Sequence, residues 1–146
     1  EPDRASRLFV ERRREELVPN DTAFFIYSDV LSEKKRRLNF QPNLGYCSQI
    51  WENGAESRQT SVLDAFNLNP DFLKIHTEGT EINIIKGARE TIKRSRPVIA
   101  YSVYHKREGF FSDIAEAMEF MYGYQWFFRL HSFQGTGAFV YAIPTG

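Results

Sequence analysis

The chain holds three histidines, His76, His105 and His131, the side chains whose ordinary pKa lies nearest neutrality and which therefore suit proton transfer. Each stands at or just past the end of an apolar run rich in strand formers: residues 72–75, 98–104 and 124–130. In open α/β sheets, ligands bind beyond the carboxyl ends of the strands. Those positions are therefore where chemistry is expected. His76 opens the stretch His76-Thr77-Glu78-Gly79-Thr80-Glu81, which sets two carboxylates beside an imidazole. Two imidazoles and a carboxylate could hold a divalent metal. No local ligand spacing such as His-x-x-x-His is present, so no metal site is assigned. The plainer alternative is that His76 and His105 only hydrogen-bond the loops around them. His131 joins the same edge only if the last two strands form an antiparallel hairpin of the right sense.

The elements that must position these groups follow from pattern. Residues 3–17 read as a helix capped by Asp3, with Ala5, Leu8, Phe9 and Leu17 on one face and Arg12, Arg13 and Arg14 in solvent. Residues 23–27, Ala-Phe-Phe-Ile-Tyr, read as a buried strand. Residues 32–60 are polar and rich in turn residues, and are expected to form an irregular insertion with at most a short strand around Leu38 and Phe40. Ser61 and Asp64 stand at capping-box spacing before a short helical turn. Residues 81–94 form a helix on the spacing of Ile82, Ile85, Ala88 and Ile92, and residues 110–122 form another. The turn Gln134-Gly135-Thr136-Gly137 predicts an antiparallel hairpin. The alternation specifies an α/β sandwich in which the strands before Gly79 and before His105 are parallel.

Composition narrows the functions. The 146 residues fit a single domain, 1–146, with balanced charge: Lys+Arg 19 against Asp+Glu 19. That balance argues against a dedicated nucleic-acid binder. One cysteine, Cys47, excludes an internal disulfide and a multi-cysteine zinc site. No apolar run is long enough to span a membrane. A cytoplasmic protein is expected, and nothing assigns an oligomeric state. Trp51 and Trp126 are more simply loop or core anchors than pocket walls.

The segment from Phe72 to Ala88, Phe-Leu-Lys-Ile-His-Thr-Glu-Gly-Thr-Glu-Ile-Asn-Ile-Ile-Lys-Gly-Ala, resembles the signature of FkbM-type methyltransferases. That family usually reads Lys-Ile-Asp-Val-Glu-Gly-x-Glu, then Leu-Lys-Gly-Ala. The likeness continues through Ser61-Val62-Leu63-Asp64, Arg96-Pro97-Val98, Val103-Tyr104-His105-Lys106, Tyr124 with Arg129 and His131, and Val140-Tyr141-Ala142. The resemblance implies a Rossmann-like class I methyltransferase sandwich, N-terminally incomplete, with a mostly parallel sheet and a C-terminal antiparallel hairpin. It implies S-adenosylmethionine as cofactor and transfer of its methyl group to a hydroxyl of a small-molecule or sugar acceptor. Glu1 matches the acidic residue that meets the cofactor ribose, and Asp29 the one that meets adenine. His105 is then the first candidate for the base that removes the hydroxyl proton and His76 the second, with Glu78 and Glu81 orienting them.

Two departures accompany the likeness. The family's glycine-rich loop would lie before Glu1, so the chain is expected to be the later part of a longer protein and to expose apolar surface and strand edges. His76 also replaces the family Asp, removing an anionic acceptor while leaving a base or metal-ligand role possible. These departures motivate a second reading, a methyltransferase-like module that binds or assembles without catalysis.

Overall fold

The computed structural model describes residues 1–107, 109–133 and 137–146. It divides into two compact units, Glu1–Val30 with Lys35–Ser61, and Leu31–Lys34 with Val62–Gly146.

In the first unit, helix α1 (Arg4–Leu17) begins where expected, because the Asp3 side chain accepts the N–H of Ser6 at 2.8 Å. The other carboxylate oxygen accepts the N–H of Asn43 at 2.6 Å and the Ser48 hydroxyl at 3.1 Å. Burial pushes this carboxyl up, but the hydrogen bonds outweigh it and bring its pKa down to about 2. The apolar face expected on α1 stays in solvent: the helix buries none of its residues, and Leu8, Phe9 and Leu17 are exposed.

The strand expected at residues 23–27 does not form, and Phe24, Phe25 and Tyr27 are exposed. An apolar run becomes a strand only where a neighbour takes its backbone hydrogen bonds. Residues 32–60, by contrast, are far from irregular. Strands β1 (Val30–Leu31), β2 (Arg37–Gln41), β3 (Gln49–Ile50) and β4 (Glu56–Ser61) form a sheet in the order β1-β4-β2-β3, with β2 antiparallel to both β3 and β4. Antiparallel strands tolerate one wet face, so polar sequence such as Glu-Ser-Arg-Gln-Thr-Ser can pair while Phe40 is buried.

The second unit carries β5 (Phe72–Ile75), helices α2 (Glu81–Lys86) and α3 (Arg89–Ser95), β6 (Val98–Ser102), a π turn (Gly109–Asp113) leading into α4 (Ile114–Met118), then β7 (Tyr124–Leu130) and β8 (Ala138–Pro144). The sheet order is β5-β6-β8-β7. Strands β5 and β6 are parallel, as the crossover through α2 and α3 requires. Strand β8 is antiparallel to β6 and to β7. The sheet is therefore mixed, which corrects the mostly parallel sheet expected. Inserting β8 between β6 and β7 turns two of its three pairings antiparallel. The C-terminal hairpin is present, while residues 134–136 of its turn lie outside the described residues. Ile75, Ile82, Ile85, Ile99, Tyr101 and Val140 form the centre of the core.

The single helix expected over 81–94 is two. The chain turns at Gly87, whose carbonyl accepts the N–H of Asp64 at 3.0 Å. A Cβ on Gly87 would lie 2.2 Å from the Ser32 carbonyl oxygen, so only glycine fits this approach. The Asp64 carboxylate then caps α3, accepting the N–H groups of Thr91 at 2.8 Å and Glu90 at 3.1 Å. Asp64 thus caps a remote helix instead of pairing with Ser61, whose hydroxyl donates to Asp29.

Candidate active site

The parallel pair β5 and β6 delivers His76 and His105 to one edge of the sheet, where Glu78 and Glu81 also lie. His76 directly follows β5. The chain then reverses through Glu78 and Gly79, both in the left-handed region at φ 54° and 96°. At Gly79 a side chain would also meet Lys106, 3.3 Å from an added Cβ. The reversal starts α2 at Glu81 and turns that carboxylate inward, where its side chain is only 3% exposed.

Glu81 is held by donors on three sides. Its Oε1 accepts the Ser102 hydroxyl at 2.7 Å, the Thr77 N–H at 3.0 Å and Nδ1 of His105 at 2.8 Å. A carboxylate oxygen can only accept, so the proton of this last contact sits on Nδ1 and a neutral His105 presents a bare Nε2. That Nε2 faces Oε1 of Glu78 at 3.2 Å and Nε2 of His76 at 3.3 Å. The two imidazoles are stacked, with centroids 5.0 Å apart and planes 21° from parallel. His76 Nε2 also meets the Tyr104 hydroxyl at 2.9 Å and lies 3.8 Å from Glu78. Burial, and then the neighbouring His105, push His76 below its ordinary value, against the pull of Glu78.

The four residues singled out for catalysis are therefore brought together: His105 and Glu81 as an inner pair, His76 and Glu78 towards the opening. His131 reaches the same edge because β7 and β6 are both antiparallel to β8. The Phe139 ring stands between it and His76, 5.8 Å from one and 5.7 Å from the other. His131 instead pairs with the Tyr141 hydroxyl at 3.0 Å. Tyr104 and Ser102 were not singled out from sequence. Their signal was only that each is a hydroxyl within three residues of His105.

Glu1 and Asp29 belong to the first unit. Glu1 Oε1 accepts the Asp3 N–H at 2.9 Å, and Asp29 Oδ1 accepts the Ser61 hydroxyl at 2.6 Å. The Glu1 nitrogen donates to the Tyr27 carbonyl at 2.8 Å, which sets Glu1 alongside the segment that ends in Asp29. Cys47 lies in a 3-10 turn (Gly45–Cys47) of the same unit.

A mixed α/β fold with imidazole and carboxylate groups at the ends of its parallel strands is the kind of scaffold on which group-transfer enzymes are built. The sequence profile of the methyltransferase FkbM domain matches residues 12–130, and the chain belongs to that family. The fold is similar to the crystal structure of methyltransferase FkbM from Methylobacillus flagellatus KT, with a TM-score of 0.76 and 21% identity over 97% of this chain. The chain spans 35% of the length of that solved protein. No curated protein matches the chain significantly. Among the described residues, no helix is long and apolar enough to cross a membrane.

Proposed function

We propose that the chain serves methyl transfer from S-adenosylmethionine to a hydroxyl of a small-molecule or sugar acceptor, on a Rossmann-like class I methyltransferase sandwich. The observation that carries this reading is the Glu81–His105 pair. It fixes the tautomer of His105 and leaves the bare Nε2 beside His76 and Glu78. Membership of the FkbM family supports the reaction class.

Glu1 and Asp29, both in the first unit, are the residues that would hold the ribose hydroxyls and the adenine amino group. Each carboxylate uses one oxygen in the contacts above, and its second oxygen is an acceptor suited to those donors. When bound, S-adenosylmethionine supplies an electrophilic methyl group. The work left to this chain is to align the acceptor oxygen and to take its proton. His105 Nε2 takes the proton. Glu81 steadies the imidazolium that results, and Glu78 and Tyr104 orient the hydroxyl. Nucleic acid and membranes are not among the proposed partners, and a cytoplasmic location belongs to the same proposal.

The test is to incubate the full-length protein with S-adenosylmethionine and a panel of hydroxylated sugars and small molecules. S-adenosylhomocysteine would be followed by mass spectrometry, and cofactor binding by calorimetry. Cofactor heat and acceptor-dependent product are expected. Absence of both contradicts the reading and favours the non-catalytic module.

A further inference from the structure

We propose that His76, Glu78 and His105 form a binding site for a divalent cation of the zinc class, with Glu81 as the outer carboxylate that orients His105. Three lone-pair atoms converge here. They are Nε2 of His76, Nε2 of His105 and Oε1 of Glu78, and all lie within 4.8 Å of one another. Their separations are 3.3, 3.2 and 3.8 Å. Ligands about 2.0–2.1 Å from one tetrahedral zinc ion stand roughly 3.3 Å apart. The separations of the three atoms are thus close to ligand spacing, and small ring rotations would aim their lone pairs at one ion.

The second argument is the demand for positive charge. With its proton committed to Glu81, Nε2 of His105 is an acceptor facing the Glu78 carboxylate and, when His76 carries its proton on Nδ1, a second bare imidazole nitrogen. A single cation satisfies all three. The third argument is the outer contact itself. A metal-bound imidazole almost always donates its other N–H to a carboxylate or carbonyl, and His105 donates Nδ1–H to Glu81 at 2.8 Å, a carboxylate that is buried and held by Ser102 and Thr77. Two imidazoles and one carboxylate suit zinc or a neighbouring transition ion over magnesium, which prefers oxygen ligands and water. The His76 side chain is 37% exposed, so the site opens to solvent and leaves a fourth position for water or a ligand.

The ligands come from the ends of two different strands, which is why no local spacing in the sequence announces them. His76 would give up its hydrogen bond with the Tyr104 hydroxyl to serve as a ligand. A consequence follows that does rest on the methyl-transfer reading. With Nε2 of His105 on an ion, that nitrogen could no longer take a proton, so zinc is expected to inhibit methyl transfer that depends on His105 as base. The binding claim stands independently of that reading.

The experiment titrates the chelator-treated chain with zinc chloride by calorimetry and with cobalt chloride by visible absorption. One ion per chain and the absorption bands of tetrahedral cobalt are expected. His76→Ala and His105→Ala should each weaken binding by about 100-fold or more, Glu81→Gln by about 10- to 100-fold. Tyr104→Phe should bind at least as tightly as the unaltered chain, and His131→Ala equally. Glu78→Gln lies outside the core, so it keeps the test sound if a histidine variant fails to fold, and its loss of affinity is expected too. No heat and no cobalt bands in the unaltered chain would overturn the proposal. So would affinity undiminished in folded Glu78→Gln together with His76→Ala. A chain that forms no S-adenosylhomocysteine yet binds zinc this way would sink the methyl-transfer reading and leave the ion site standing.

Discussion

Nδ1 of His105 donates to Oε1 of Glu81 across 2.8 Å, joining the loop after β6 to the first residue of α2. The two residues are 24 positions apart in the chain. Their pairing depends on the parallel register of β5 and β6, in which Ile75 sits opposite Tyr101. The same carboxylate oxygen ties down Thr77 and Ser102, so the contact is braced from both strands.

Replacing that carboxylate by an amide should therefore be felt at His105. Glu81→Gln keeps the shape but offers either an acceptor or a donor to Nδ1. We expect loss of the fixed tautomer, read as a change in the ring nitrogen shifts of His105 by NMR. We also expect methyl transfer to fall by about 10- to 1000-fold. A structural role alone would leave the tautomer and the pH profile of the remaining rate unchanged.

Gly87→Ala should destabilise the second unit. The added Cβ meets backbone at Ser32, which cannot swing aside as a flexible side chain would. Overpacking of this kind costs about 1–3 kcal/mol. Thermal unfolding measures it, and an unchanged melting temperature would mean the backbone of residues 31–34 yields freely.

This turn also shows where the sequence stops being informative. The spacing of Ile82, Ile85, Ala88 and Ile92 is that of one helix, and nothing local marks the break between α2 and α3. The break is made by Asp64 and Ser32, both distant in the chain. The Asp3 cap, the parallel pair β5–β6 and the C-terminal hairpin were legible because local chemistry or crossover sense decides them. The strand expected at 23–27 was misleading because apolar composition does not report which backbone groups a segment will meet. Strand β4 was hidden because its residues are polar. At the site, the histidines were visible as strand-end residues, whereas their approach to within 3.3 Å needed the register. The Ser102 hydroxyl carried no pattern of its own, and Tyr104 stood only within the likeness at residues 103–106.

Asp64→Ala should loosen the start of α3. It removes the acceptor for the N–H groups of Glu90 and Thr91. A lost cap costs about 1–2 kcal/mol. Hydrogen exchange should quicken first at those two amides, and uniform quickening across the unit would contradict a capping role.

Asp3 gives the first unit a dependence on acid. Its folded pKa, about 2, lies below the ordinary value of 3.8, so the carboxylate form is favoured by folding. The contribution is present above about pH 4 and is lost as pH falls towards 2. Asp3→Asn should destabilise the first unit at pH 6, and the difference from the unaltered chain should shrink at pH 2. Denaturation at the two pH values reads this directly, and a difference that stays constant would count against it.

The role of His105 is tested most directly by the rate of S-adenosylhomocysteine formation in His105→Ala, measured beside its affinity for S-adenosylmethionine. A base at this position predicts a rate at least about 100-fold lower with cofactor affinity unchanged. A rate equal to that of the unaltered chain would contradict it.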